Sequence, residues 1–357
     1  MSAVEPRPWI NAIAPYVPGQ PAATRDGSMA SNESTFPVSR RVADAVNAVL
    51  DGVSEYPDPL ANGLREALAA LHDVDPDQIL VGNGSDELVY LLVLTYAGHG
   101  GRVLCAKPSY RIDEVSAAVV GADVAYVPLV DWRHDLVAMA TVPADVAFVV
   151  NPHNPTGTTC APDEIASFVD TARARLSVVD EAYIDFADIP EEATAIPLAR
   201  RGDAVVLRTF SKVFGLAGAR VGYLVGSADL VATLRKVRAP FSVSSFAQAA
   251  AVAGLADRDH YHRARTETVA RRAELVRLLV DRGFEVVPSQ ANFVLARCEG
   301  EAALVAHLAA SGISVRPGSA LGVPGAIRVS VPSAEGLRLL AGALPDADQV
   351  PTRRRTP

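Results

Sequence analysis

A chain of 357 residues, 49% of them apolar, has room for one large domain with a smaller one beside it, or for two comparable domains. Its net charge of −8 argues against nucleic acid or an anionic membrane surface as the main partner. Three scattered cysteines, Cys105, Cys160 and Cys298, show no CxxC spacing, which excludes a disulfide framework or zinc cluster and fits a reducing compartment.

The opening "MSAVEPRPWINAI" lacks the basic and apolar blocks of a signal peptide. No apolar run is long enough to span a bilayer, so a cytoplasmic protein is expected. Residues 1–30, rich in Pro, Gly and small residues, read as an irregular arm. "DQILVGNG" (77–84) reads as a strand entering a glycine turn, and "SDELVYLLVLTYA" (85–97) as a helix that Ser85 or Asp86 can cap. "RVLCAKP" is the next strand, and "YRIDEVSAAVVG" a helix closed by Gly121. "DVAFVVNP" (145–152) is a buried strand stopped by Asn-Pro; "APDEIASFVDTARA" is a helix with Pro162 in its first turn. "LSVVDEAY" and "AVVLRTF" are further strands.

Strands alternating with helices predict an α/β fold, a mostly parallel sheet covered by helices on both faces. Beyond a long helix near 258–282, "FEVVPSQANFVLARC", a helix near 301–311 and "AIRVSV" predict a smaller α+β domain. The expected division is an arm at 1–30, a large domain at 31–245, a small domain at 246–345 and a tail without fixed structure at 346–357. The basic run 353–355 falls in that tail and reads as a solvated end.

In parallel α/β sheets, ligands sit beyond the carboxyl ends of the strands. Gly84-Ser85-Asp86, Asn151–Gly157, Asp180 with Tyr183, and Ser211-Lys212 all fall at such ends. "GNGSDE" offers backbone N–H groups and a helix N-terminus to a phosphate, although taken alone it reads more readily as a structural turn. Asp180 ends an apolar strand, so its carboxylate needs a partner: a cap, a salt bridge, or a protonated ring nitrogen. Lys212 at a crowded strand end can lose its proton and form a Schiff base, though most lysines are merely solvated. In "SKVFGLAGAR" the glycines break any helix, letting Arg220 fold back towards the same anion. Phosphate on Ser85, Ser211 and Arg220, an aldehyde on Lys212 and a ring nitrogen on Asp180 together describe pyridoxal 5′-phosphate.

"NPHNPTG", "VVDEAY", "TFSKVFGLAGARVGY" and "IRVSV", in that order, resemble the class I/II, fold-type I pyridoxal-phosphate aminotransferases. The resemblance runs from about residue 16 to 331. Within the family, the chain is similar to histidinol-phosphate aminotransferases and their actinobacterial phenylalanine (aromatic) relatives. "YVPG", "PFSVSSFAQAA" and "PSQANFV" favour the phenylalanine sub-branch.

The resemblance implies roles. Lys212 would hold the cofactor covalently and then move protons as general acid and base. Asp180 would keep the ring nitrogen protonated, and Asn154 and Tyr183 would hydrogen-bond the phenolic oxygen. Ser85, Asp86, Ser211 and Arg220 would hold the phosphate, and Tyr110 would stack on the ring. Arg328 would clamp the substrate carboxylate. Tyr56 would reach the neighbouring subunit's cofactor phosphate, making the active form a homodimer with shared sites. Asn32, Tyr16 and Arg316 would line the side-chain pocket.

"NEST" (32–35) departs from the family's frequent "NENP", and "RPGSALGVPGAIR" departs after the pocket arginine. The implied reaction is amine transfer from an aromatic, phenylalanine-like amino acid to a 2-oxo acid such as 2-oxoglutarate. The alternatives are histidinol phosphate or an unusual amino acid of a specialised pathway. A decarboxylase or C–S lyase would use the same cofactor motifs, and a cofactor-binding sensor is a third class. His260 and His262, two apart on a helix, face different ways, so no metal is expected.

Overall fold

The computed structural model describes residues 4–15, 17 and 19–351. Tyr16 and residues 352–357, with the basic run, lie outside the described residues. The apolar runs form strands β1 (Ser28–Met29), β2 (Ile79–Gly82), β3 (Arg102–Lys107), β4 (Asp123–Pro128), β5 (Ala144–Val150), β6 (Ala174–Asp180), β7 (Val205–Thr209), β8 (Gly222–Val225), β9 (Val286–Val287), β10 (Phe293–Arg297), β11 (Ser314–Pro317) and β12 (Ala326–Ser330).

Seven of them make one sheet in the order β2-β8-β7-β6-β5-β3-β4. β4, β3, β5, β6 and β7 run parallel, and β8 lies antiparallel between β7 and β2. Both faces are covered, which is why these strands read as unbroken apolar runs and not as alternating ones. Along β5, Ala147 and Val149 join one core, while Val146 and Phe148 join the core on the opposite face.

Local signals set the helices. Pro162 opens Pro162–Thr171, where a missing N–H costs nothing. Gly121, at φ 75°, ends Arg111–Val120 in the left-handed region that a side chain would resist.

The second sheet has the order β1-β11-β12-β10-β9. Its first strand comes from the segment read as an arm: Ser28–Met29 pairs parallel with β11. β12 lies between β11 and β10, antiparallel to both. Helix Arg258–Asp281 joins the two halves. Near its start, Tyr261 and Ala264 pack with Phe186 and Val213; further on, Leu275 and Leu279 enter the core of the small sheet. The preceding helix, Ser245–Ala256, puts Ala247, Ala250 and Ala251 into the core of the large sheet. We therefore propose that the domains divide inside Arg258–Asp281, later than residue 245. Residues 346–351 pack as well, with a 3₁₀ turn at Ala347–Gln349 and Val350 buried against the small core. No helix among the described residues is long and apolar enough to cross a membrane.

Candidate active site

Strand register gathers the polar motifs at one edge of the large sheet. Val150 lies beside Asp180, and Asp180 beside Leu207. Thr209 and Gly82 both lie beside Gly222. The loops leaving these ends enclose a cavity of about 440 Å³, whose walls include Ser85, Asp180, Tyr183, Ser211, Lys212 and Arg220.

One end of this cavity suits an anion. Helix Gly84–Tyr96 begins there, and glycine is required at its first position. Gly84 has φ +74°, and a Cβ on it would sit 2.5 Å from Arg220 Nη2. A Cβ on Gly222 would meet the Ser85 nitrogen at 2.6 Å, so that strand also needs a bare backbone. Arg220 is itself left-handed at φ 53°, the fold-back expected of its glycine-broken segment. Its Nη2 donates to Asp86 Oδ2 at 3.1 Å, and the other Asp86 oxygen accepts from the Tyr110 hydroxyl at 3.0 Å. Thr209 Oγ1 donates to Ser211 Oγ at 2.9 Å and accepts from the Ser211 N–H at 3.1 Å. The sequence reading missed Thr209; its place two residues before Ser211, at the strand end, was the available signal.

The inner wall is drier. Asp180 is 1% exposed, and its Oδ1 accepts the Ala182 N–H at 2.9 Å. Burial pushes its carboxyl up to about 7; the Ala182 N–H and Lys212 oppose that rise, while Asp86 and Glu181 add to it. Lys212 Nζ lies 5.2 Å from the centroid of the Tyr183 ring. The Tyr183 hydroxyl accepts from Asn154 Nδ2 at 3.4 Å and from Asn32 Nδ2 at 3.1 Å. Phe293 meets the Tyr183 ring edge-on at 5.1 Å.

A second cavity of about 750 Å³ shares Tyr110, Asn154, Tyr183 and Lys212 with the first and adds Arg316 and Arg328. These two arginines are cross-strand partners on β11 and β12. Arg328 Nη1 donates to Asn154 Oδ1, and Nη2 to the Ala30 carbonyl, each at 2.7 Å. Arg316 Nη2 donates to the Val17 carbonyl at 2.9 Å. Arg316 is thus buried against the cavity and does not face solvent. Asn32, at φ 54°, lines this cavity, but its amide is held at both ends: Oδ1 accepts from Ser330 Oγ at 2.9 Å while Nδ2 goes to Tyr183. Tyr56 stands apart from both cavities, 83% exposed and stacked on Phe241 at 4.6 Å.

The smaller cavity fits pyridoxal 5′-phosphate. A cradle that a Cβ would fill lies at one end, a buried carboxyl at the other, and an amine between them. A carboxyl raised by burial awaits a cation, which a protonated ring nitrogen supplies.

Residues 28–344 match the family described as "Aminotransferase class I and II". A histidinol-phosphate aminotransferase of Sphingopyxis alaskensis is 38% identical over 95% of this chain and 96% of its own. Another, from a Geobacillus species, is 36% identical over 93% and 95%. The crystal structure of histidinol-phosphate aminotransferase from Sinorhizobium meliloti in complex with pyridoxal 5′-phosphate superposes with a TM-score of 0.87 at 28% identity, covering 97% of this chain and 98% of that one.

These relatives overturn the expectation of an aromatic, phenylalanine-like substrate: relatives 35–38% identical are named histidinol-phosphate aminotransferases, the alternative and not the main reading. The segments that suggested phenylalanine are poor reporters of substrate. "PFSVSSFAQAA" leads into Ser245–Ala256 and packs into the large core. "PSQANFV" braces the site from behind, with Asn292 donating to the Asn32 carbonyl and Phe293 against Tyr183. In "YVPG", Tyr16 and Pro18 lie outside the described residues. The chain belongs to the class I and II aminotransferases, fold-type I enzymes that transfer amines with pyridoxal 5′-phosphate.

Proposed function

We propose that this aminotransferase takes its amine from histidinol phosphate and passes it to a 2-oxo acid such as 2-oxoglutarate. The observation that carries this reading is the pairing of Arg316 with Arg328 across β11 and β12, on the wall of the cavity that holds Lys212. Histidinol phosphate has no α-carboxylate. Its anion is a phosphate monoester with about 1.5 to 2 negative charges at neutral pH, and two guanidinium groups suit that charge better than one. The α-carboxylate of the 2-oxo acid would use the same pair in the second half of the cycle.

Pyridoxal phosphate, when bound, supplies an aldehyde that takes up the amine and an electron-poor ring that draws electrons from the neighbouring carbon. The protein does the rest. Lys212 Nζ tethers the cofactor between turnovers. Its amine, once free, would serve as the base and acid that moves a proton at the substrate carbon bearing the amine. Asp180 would hold a proton on the ring nitrogen, where burial would make that ion pair strong. The Tyr183 hydroxyl and the Asn154 amide would hydrogen-bond the phenolic oxygen. Ser85 and Asp86, through backbone N–H groups, with Ser211 and Arg220, would hold the phosphate at a helix N-terminus. Tyr110, with its hydroxyl on Asp86, presents its ring to the cofactor.

Tyr56 supports a homodimer. A tyrosine 83% exposed and stacked on a partly exposed phenylalanine suits burial against a second subunit, where it would reach that subunit's cofactor phosphate. Three free, buried, scattered cysteines support a reducing, cytoplasmic setting. The test is a half-reaction: histidinol phosphate alone is added to the holoenzyme, and the cofactor's visible absorbance is followed. Stoichiometric loss, reversed by 2-oxoglutarate, is expected. No conversion with histidinol phosphate, while another amino donor reacts, would end this reading.

A further inference from the structure

We infer that Glu114, held by Ser109, reads an N–H of the substrate's imidazole ring and so sets which amine the enzyme accepts. This rests on the histidinol phosphate reading above. With the phosphate on Arg316 and Arg328 and the amine at Lys212, two points of the substrate are fixed and only the ring remains to be placed. The 750 Å³ cavity extends past Tyr110, along helix Arg111–Val120, to the edge strand β4. Ile13, Val115, Ala118, Val124 and Leu321 line this arm with apolar side chains.

Glu114 is the acid on the polar side of this arm, which Lys107, Ser109, Arg111 and Tyr126 also line. Ser109 Oγ donates to Glu114 Oε1 at 2.7 Å, fixing the carboxylate while leaving it capacity for further donors. The cations nearby are otherwise engaged. Lys107 Nζ lies over the Tyr126 ring, 4.9 Å from its centroid, and Arg111 Nη2 donates to the Ala14 and Pro15 carbonyls at 2.5 and 3.2 Å. Burial, then the Glu114 charge and a hydrogen bond to Glu114, push the Tyr126 phenol up to about 12, so it keeps its proton and the carboxylate has a second donor beside Ser109, with lone pairs left over. The helix dipole accounts for an acid in a first turn. It does not account for a carboxylate held by a serine on the wall of an arm that opens onto Lys212.

An imidazole N–H adds a donor to the Glu114 carboxylate, whereas a benzene ring would cover it and add none, leaving Ser109 as a partner but desolvating the rest of the charge. Sites built to hydrogen-bond a substrate group reject the analogue lacking it far more strongly than sites that measure size alone.

The test compares histidinol phosphate with phenylalaninol phosphate, which keeps the amine and phosphate but carries a benzene ring, as donors to the holoenzyme. Wild type should prefer histidinol phosphate by at least about 100-fold in kcat/KM. Glu114→Ala should cut that preference by about 10- to 100-fold, through loss on histidinol phosphate with phenylalaninol phosphate unchanged or improved. Glu114→Gln, which keeps an acceptor and the side-chain shape, should cut it by about 3- to 10-fold, and it carries the test alone if the alanine variant does not fold. An unchanged ratio in the glutamine variant, or equal loss on both donors, overturns the role of Glu114. Wild type that uses both donors equally also overturns it while leaving the histidinol phosphate reading intact. Wild type that fails on histidinol phosphate but accepts another donor sinks the reading itself.

Discussion

The two halves of the active site are built differently. The cofactor half hangs on one edge of the large sheet: Asp180 closes β6, Ser211 and Lys212 follow β7, and Ser85 sits in the first turn of the helix after β2. Each residue is placed by its own strand, and the strands are fixed by a continuous core. The anion half needs three remote pieces of chain. Arg328 reaches the Ala30 carbonyl, and Ser330 reaches Asn32, each across 298 residues of sequence, while Arg316 holds the arm at Val17. Asn154 joins the halves, with its amide nitrogen on Tyr183 and its oxygen on Arg328. On the proposed roles, chemistry would be set by one sheet edge, and substrate choice by how a second sheet and an arm pack against it. Damage to the first half should appear in kcat, and damage to the second in KM and specificity.

The largest expected effect is that of Lys212→Ala, which should lower turnover by at least about 10⁴-fold, since tether and proton carrier go together. Steady-state turnover of the purified variant checks it, and near-normal activity would remove the basis for placing the chemistry at this edge. Asp180→Asn should lower kcat by about 10²- to 10⁴-fold and also change stability, with a sign that depends on pH. The folded carboxyl titrates at about 7, against about 3.9 in an unfolded chain. Between those values the folded state binds more protons, so this group's contribution falls as pH rises through the window. Without cofactor, the asparagine variant should thus be more stable than wild type at pH 8, by on the order of 1 to 4 kcal/mol, with the gap closing near pH 4. Urea unfolding of the cofactor-free proteins at both pH values measures it. Equal stability at pH 8 would mean that the carboxyl is not held in a dry wall.

In the anion half, Arg316→Ala should raise KM for histidinol phosphate by about 10- to 100-fold with kcat little changed, because a charge-assisted contact is lost. Arg328→Lys should move both constants, since Nη1 also props Asn154 and lysine lacks the planar fork. Steady-state kinetics on the two variants would break the comparison if Arg316→Ala acted on kcat alone.

Much of the cofactor half was legible because each of its residues sits within a few positions of a strand end, where burial pattern and glycine spacing show in a short window. "VVDEAY" carries both the strand and its terminal acid, and "FSKVFGLAGAR" carries both the amine and the fold-back. The anion half was less legible. Nothing near Arg316 in the chain shows that β11 pairs with β12 and so brings it beside Arg328, and "NEST" gives no sign that Asn32 is held by Ser330 and Tyr183. Ser28–Met29 looks irregular because a two-residue strand has no period to detect. The phenylalanine reading failed for a related reason: its segments serve core packing and bracing, which relatives share whatever amine they take.

The smallest expected effect probes the loop that joins the halves. In "NPHNPTG", His153 is fully buried next to Asn154, with Nδ1 2.8 Å from Thr156 Oγ1. Its ring meets the His134 ring edge-on at 4.8 Å. His134 Nε2 lies 3.1 Å from the Val150 carbonyl at the end of β5. Burial lowers His134 to about 4; burial, then His134, holds His153 well below its ordinary value. Both are neutral when folded, so as pH falls below about 6.5 the unfolded chain takes up protons first, and stability is lost through the window down to about 4. Each such histidine steepens the loss by up to about 1.4 kcal/mol per pH unit. His134→Phe keeps an edge-on ring but does not titrate. It should cost about 1 kcal/mol at neutral pH for the lost Val150 contact, and then lose stability less steeply than wild type between pH 6 and about 4.5. Because the loop carries Asn154, wild-type protein should lose activity with the same acid midpoint as its unfolding, and His134→Phe should shift both midpoints downward together. An acid slope equal to wild type would show that the histidine pair does not couple this loop to protons, and the acid limit of the enzyme would then lie elsewhere in the fold.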